Sequence, residues 1–164
     1  MKAILILLIL LAGCATEINE VNNMKVESDD FDPNGDMPRD ITCQGNDSSP
    51  HLRWEAVEGA KSYALSLIDP DTPFGDFIHW FVHDIPAETT EFVQGTYLGT
   101  QVENDFGKQD YGGPCPPAGK HRYVFTVYAL DVEKLEGVTK DNFLEKVGEH
   151  TIDKGQVAGV YEKH

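Results

Sequence analysis

A chain of 164 residues is long enough to bury one real core and too short to expect two. Its make-up, 40% hydrophobic, 10% aromatic and 25% charged, is that of an ordinary globule and argues against a disordered or fibrous chain. Thirteen Lys and Arg against 28 Asp and Glu leave a formal charge of −15, which speaks against unassisted binding to nucleic acid or to an anionic bilayer, since both need clustered cations; a local anion site stays open, because carboxylates beyond a Debye length of about 8 Å are screened.

The leader MKAILILLILLAGC runs from Lys2 through the apolar stretch Ala3 to Leu11 into small residues. That stretch is shorter than the roughly twenty residues a spanning helix needs and reads as a targeting segment. Its end, Leu11-Ala12-Gly13-Cys14, resembles a bacterial lipobox, in which the signal is removed and the cysteine carries lipid. The expectation is a lipoprotein signal peptide over residues 1–13, a lipidated Cys14 with a polar tether over 14–23, and one domain over 24–164. An ordinary secretory signal with an incidental cysteine is the alternative. Either way the mature domain leaves the cytosol. The lipobox reading puts it in the cell envelope, held to a membrane through Cys14 and facing away from the cytoplasm. With Cys14 set aside, Cys43 and Cys115 remain as thiols in an oxidising compartment, which suggests one bridge. Closing so long a loop is worth about 4 kcal/mol on a chain-entropy estimate. Two buried, unpaired thiols are the competing account.

From Met24 to Leu130 the pattern is one of strands separated by Pro and Gly, with no internal repeat, heptad or low-complexity segment. SYALSLID (62–69) and HWFVHDI (79–85) are apolar runs bounded by turn residues and read as central strands. Their near-continuous hydrophobicity predicts cover on both faces. GTYLGTQVENDFGKQDYGGPCPPAGK (95–120) reads as a long irregular connection, and its three prolines favour a functional loop over a disordered one. HRYVFTVYALD (121–131) is the longest β-branched and aromatic run and reads as a third central strand. TKDNFLEKVGEH (139–150) predicts a late helix, with Thr139 as N-cap, Asp141 in the first turn, and Phe143, Leu144 and Val147 as its apolar face. QVAGVYEK (156–163) reads as a short terminal strand.

Strand alternation gathers the chemistry. Residues two apart share a face, so His121 and Tyr123 point one way and Arg122 the other. His79 opens a strand with Trp80 facing opposite, and Asp69 and Asp71 bracket Pro70 where the preceding strand ends. If these strands are neighbours, Asp69, Asp71, His79, His121 and Tyr123 converge at one end of a sheet, roofed by GGPCPP (112–117). Such a cluster suits a phosphate. Imidazolium and phenol groups donate hydrogen bonds, glycine lets backbone N–H groups approach an oxyanion, and the carboxylates hold each imidazole in a donor orientation. Residue by residue a plainer account competes: Asp side chains capping turns, and His side chains satisfied inside a core.

DPDTP (69–73), HW (79–80) and YGGPCPPAGKHRYVFTVYALD (111–131), in this order and spacing, resemble the signature of the phosphatidylethanolamine-binding protein (PEBP) family, in its prokaryotic Raf-kinase-inhibitor-like branch. ITCQGNDSSPHLRW (41–54) and AGVYEK (158–163) extend the likeness from Met24 to Tyr161. The resemblance implies a mainly β fold, a sandwich of two packed sheets with short peripheral helices. It also implies a small surface pocket that binds phosphate-bearing or other anionic groups, such as phospholipid head groups, without a cofactor and without catalysis. Carried over position by position, that pocket comprises Asp69, Asp71 and Pro73, then His79, then Gly113, Pro114, His121 and Tyr123. Cys43 and Cys115 also sit where many prokaryotic relatives have cysteines, which supports the bridge. Thr72 stands where alanine is common in the family and adds a hydroxyl near the rim.

Three rivals are weighed against this. Two His and two Asp could hold zinc with an open position for water, but there is no HExxH or similar spacing, so no metal is expected. A serine hydrolase is weaker, since there is no GxSxG. A protein partner is the serious rival, because eukaryotic relatives inhibit kinases or proteases through surfaces around the same pocket.

Overall fold

The computed structural model describes residues 24–164; the signal, Cys14 and the tether lie outside the described residues. In chain order the strands are β1 (Val26–Glu27), β2 (Leu52–Trp54), β3 (Ser62–Asp69), β4 (Phe77–Pro86), β5 (Glu91–Phe92), β6 (Thr100–Val102), β7 (Lys120–Leu130) and β8 (Thr151–Glu162), with one α-helix, α1 (Phe143–His150), before the last. They form two antiparallel sheets, a small one ordered β1-β2-β5 and a large one ordered β6-β4-β3-β7-β8. The protein is mainly β, as the sequence leads one to expect.

The central strands are covered twice, which is why they carry so few polar positions. On one face Tyr63, Leu65, Leu67, Trp80, Val82, Phe125 and Val127 join Val26, Leu52, Trp54 and Phe92 of the small sheet in one core. Trp54 meets the rings of Tyr63 and Phe92 edge-on at 5.7 and 5.3 Å, the geometry that aromatic quadrupoles favour. On the other face Ala64, Phe81 and Leu130 lie under α1 with Phe143 and Val147, and the Phe81 and Phe143 rings stack 4.0 Å apart.

The elements depart from the sequence reading in three places. The last strand begins at Thr151, directly after the helix, and pairs along the whole of β7 from Leu130↔Thr151 to Lys120↔Glu162. TIDKGQ hid this because it belongs to an edge strand whose alternate residues face water. The connection over 95–120 contains β6, a short edge strand paired to β4 through Phe81↔Val102. The helix is preceded by a 3-10 turn at Lys140–Asn142. Its buried face holds Phe143 and Val147, four apart, whereas Leu144 is 46% exposed, because one residue turns the helix by about 100°.

Two ties fix loops and termini onto the sheets. A disulfide joins Cys43 to Cys115 with Cα atoms 5.5 Å apart, fastening the 3-10 turn at Arg39–Ile41 to the segment before β7. At Gly155 on β8 any Cβ would come within 1.7 Å of the Met24 carbonyl oxygen, so the start of the described chain lies flat against that strand.

Candidate functional site

Strand β3 ends at Asp69, and both of its carboxylate oxygens are engaged. One accepts the Asp71 N–H at 2.9 Å, closing the turn over Pro70; the other lies 2.7 Å from Nδ1 of His121 on β7. Pairing of Ile68 with Val124 brings these two residues together, and both side chains are buried. The ionised carboxylate only accepts, so His121 carries its proton on Nδ1, and Nε2 has no protein partner among the described residues.

His79, early in β4, is held in the same way by a different partner. Its Nδ1 donates to the Gly112 carbonyl at 2.7 Å, and its ring is boxed in by Phe77, Phe106 and Tyr123 at centroid distances of 5.1, 5.2 and 5.2 Å. Burial lowers its pKa, against the pull of the Gly112 carbonyl and the Asp69 charge. The ring is therefore neutral at pH 7, with its Nε2 lone pair left unprotonated. Beside it the Tyr123 hydroxyl is fully buried and makes no hydrogen bond. Burial and the nearby Asp69 carboxylate both push its pKa up, with the Cys115 backbone opposing, so it stays a phenol able to donate. A buried polar atom without a partner costs stability, and this one lies beside the cleft.

The roof explains its own sequence. Gly113 donates its N–H to Asp47 Oδ1 at 2.7 Å, and a Cβ there would lie 2.4 Å from that oxygen and 2.7 Å from the Ile41 carbonyl. Pro114 accepts the Cys43 N–H at 3.2 Å. Together with the disulfide these bonds hold residues 112–117 over His79.

Below the roof opens a cleft of about 270 Å³ with Asp69 and His79 among its polar residues, Phe77 and Phe106 as walls, and Pro73 and Phe74 at its mouth. Larger hollows of about 390, 370 and 440 Å³ lie elsewhere among the described residues, but neither Asp69 nor His79 lines any of them. Of the residues singled out in the sequence, Asp69, Thr72, Pro73, His79 and Cys115 line the cleft, while His121 and Tyr123 stand behind Asp69 and His79. Gly113 and Pro114 serve the roof through bonds already spent on Asp47 and Cys43. Asp71 is turned to Arg122, whose Nε and Nη2 reach its two oxygens at 2.9 and 2.6 Å and whose backbone N–H adds a third bond at 2.8 Å. Phe74, Asp76, Phe77, Phe106 and Pro117 also line the cleft. For Phe74 and Phe106 the signal is a large apolar side chain left exposed in a connection between strands, which only coordinates reveal. Among the described residues no group of three His, Cys, Asp or Glu could hold a metal ion.

The Arg122 fork holds the Asp71 carboxyl down at about 2, its bonds and charge outweighing burial. A depressed carboxyl stabilises the fold above its ordinary pKa, and that contribution is lost as pH falls from about 4 towards 2. Arg122→Ala is expected to raise the Asp71 pKa towards the ordinary carboxylate value, read by following its side-chain carbon shift against pH in NMR. No change on substitution would show that the fork does not hold in solution.

Comparison with known proteins bears on the whole domain. Residues 27–162 match the family model described as phosphatidylethanolamine-binding protein. A UPF0098 protein of Aquifex aeolicus is 40% identical over 152 residues, covering 85% of this chain and 89% of the relative. A UPF0098 protein of Methanothermobacter thermautotrophicus is 38% identical over 150 residues, covering 85% of this chain and 99% of the relative. Among solved structures, a PEBP homologue from Chlamydia trachomatis superposes with a TM-score of 0.80 at 37% identity, over 87% of this chain and 99% of that one. E. coli YbcL, described as a member of the mammalian PEBP family, gives 0.80 at 31% identity with the same coverage.

Proposed function

The chain belongs to the phosphatidylethanolamine-binding protein family, and from that premise we propose that it is a non-enzymatic binding module for phosphate-bearing or similar small anionic groups, tethered to the cell envelope through Cys14. Membership makes it a ligand-binding or interaction module. The finer reading is carried by one observation: the His79 and His121 rings are each locked through Nδ1, beside a buried Tyr123 hydroxyl that completes no well-formed hydrogen bond, although the Asp69 carboxylate and the Cys115 backbone lie close enough to shift its pKa. The two imidazoles are fixed with Nε2 to spare and the phenol has its O–H to spare. A bound phosphoryl group would accept from the phenol directly and from each Nε2 once that nitrogen is protonated. Its negative charge offsets the burial that keeps His79 neutral, so binding takes up a proton.

This proton uptake sets the pH dependence. Sulfate keeps a constant charge from about pH 5 to 8, the range where histidine titrates, so it isolates the protein's own protons. Its affinity is expected to rise as pH falls through the ordinary histidine range, and to fall as pH rises, because the free protein holds no proton on His79 Nε2 at neutral pH. Calorimetric titration with sulfate and with phosphoethanolamine tests this. His79→Ala and His121→Ala should each weaken binding about tenfold or more, the equivalent of one charge-assisted hydrogen bond. Sulfate affinity that stays flat across that range, or alanine variants that bind as well as the parent, would sink the reading.

A further inference from the structure

The mouth of the cleft carries the least accounted-for surface of the molecule. Phe74 is 100% exposed, and Phe106 is 42% exposed. Pro73 and Pro117 are exposed as well, and all four residues line the same opening. A phenyl ring left wholly in water adds nothing to folding, and burying it elsewhere is favourable. The turn that carries it is specified by Gly75, whose φ of +106° is a conformation other residues rarely adopt.

We propose that this lip docks on the surface of a zwitterionic phospholipid bilayer, with Phe74 entering the interface and the cleft opening onto the head groups. The inference rests on the head-group reading above and adds how that ligand is reached. Charge selects the kind of bilayer. No Lys or Arg lines the cleft, Asp69 is bound to His121, and Asp76 on the lip has no ionic partner among the described residues. With −15 overall, an anionic surface repels this face, whereas a zwitterionic one does not.

Reach permits the contact. The described chain starts at Met24, lying against Gly155, and Asp69 in the lining of the cleft is bound to His121, which pairs with Tyr161. Six residues of β8 separate these points, about 20 Å of strand. Residues 14–23, between the lipid-bearing cysteine expected from the lipobox and the domain, extend to at most about 35 Å. An anchor at Cys14 therefore allows the cleft end to rest on the same membrane, and keeps the lip at high effective concentration over it. An exposed aromatic ring is the side chain suited to that interface.

The full chain, reconstituted in vesicles of phosphatidylethanolamine and phosphatidylcholine with brominated acyl chains, provides the test. Trp54 and Trp80 are buried and give a steady background. The variant Phe74→Trp should lose emission through bromine quenching and shift to the blue, while Ile152→Trp, at the opposite end of β8, stays unquenched. Equal emission in the two, or quenching at 152 alone, overturns the inference, since the domain then hangs with its cleft away from the lipid. Calorimetric titration of the unmodified chain with soluble phosphoethanolamine separates the two claims. Binding of phosphoethanolamine with Phe74→Trp unquenched overturns docking and leaves the head-group reading standing; neither signal overturns both; quenching without that binding supports docking alone.

Discussion

Serine at both Cys43 and Cys115 is expected to cost about 4 kcal/mol of stability, which for a domain of this size lowers the melting temperature by roughly 10–15 °C. The bridge spans 72 positions, so opening it releases a long stretch of the unfolded chain to wander. Cys43 is exposed and Cys115 partly so, and a soluble reductant should reach the bond in the native protein and reproduce the loss. The roof itself should outlast reduction, because the Gly113–Asp47, Cys43–Pro114 and His79–Gly112 bonds remain. Thermal unfolding with and without dithiothreitol checks the prediction. A melting temperature indifferent to reductant would mean that the covalent tie does not constrain the unfolded chain.

Asp69→Ala should be comparably damaging, at about 3 kcal/mol or more. Its carboxylate holds two donors, the Asp71 N–H at 2.9 Å and His121 Nδ1 at 2.7 Å, and it is itself only 3% exposed. Removing it leaves a buried imidazole N–H without an acceptor and loosens the turn that carries the lip of the cleft. Asp69→Asn separates the two roles. The amide has one accepting oxygen, so its NH₂ group must face either His121 or the Asp71 N–H. The arrangement that avoids donor facing donor moves the His121 proton to Nε2. Asparagine is therefore expected to cost less stability than alanine while reversing the tautomer, which long-range proton–nitrogen NMR of the ring reads directly. An unchanged tautomer in the asparagine variant would show that Asp69 does not set it.

Much of the frame is legible without coordinates, and the reasons are local. The runs at 62–69, 79–85 and 121–131 are β-branched and aromatic between turn residues, and they form β3, β4 and β7 to within two residues. Thr151 to Gly155 escapes such a reading because an edge strand half in water needs no hydrophobic run, and TIDKG has none. Leu144 is misleading because an apolar residue next to a buried one looks like part of the same face until the helix phase is known.

The site divides in the same way. Asp69, His79, His121 and Tyr123 are visible as residues and as strand positions, and the structure gathers them at one end of the large sheet. Two expectations about their neighbours change in meaning. Asp71 belongs to Arg122 on the outer side of β7, and the Gly113 amide that looks free for an anion is taken by Asp47, 66 positions away. Neither contact has any signature in spacing, because each partner is brought in by a different stretch of chain.

What the amino-acid order determined alone is therefore what depends on short-range chemistry: which segments are strands, where Pro and Gly turn the chain, and which titratable groups share a strand face. Only the tertiary structure decided which hydrogen bonds those groups had already spent. That division has a physical cause. Backbone preference and side-chain alternation act over a few residues, whereas the proton on a histidine, the freedom of an amide and the exposure of Phe74 depend on atoms that folding brings from dozens of positions away.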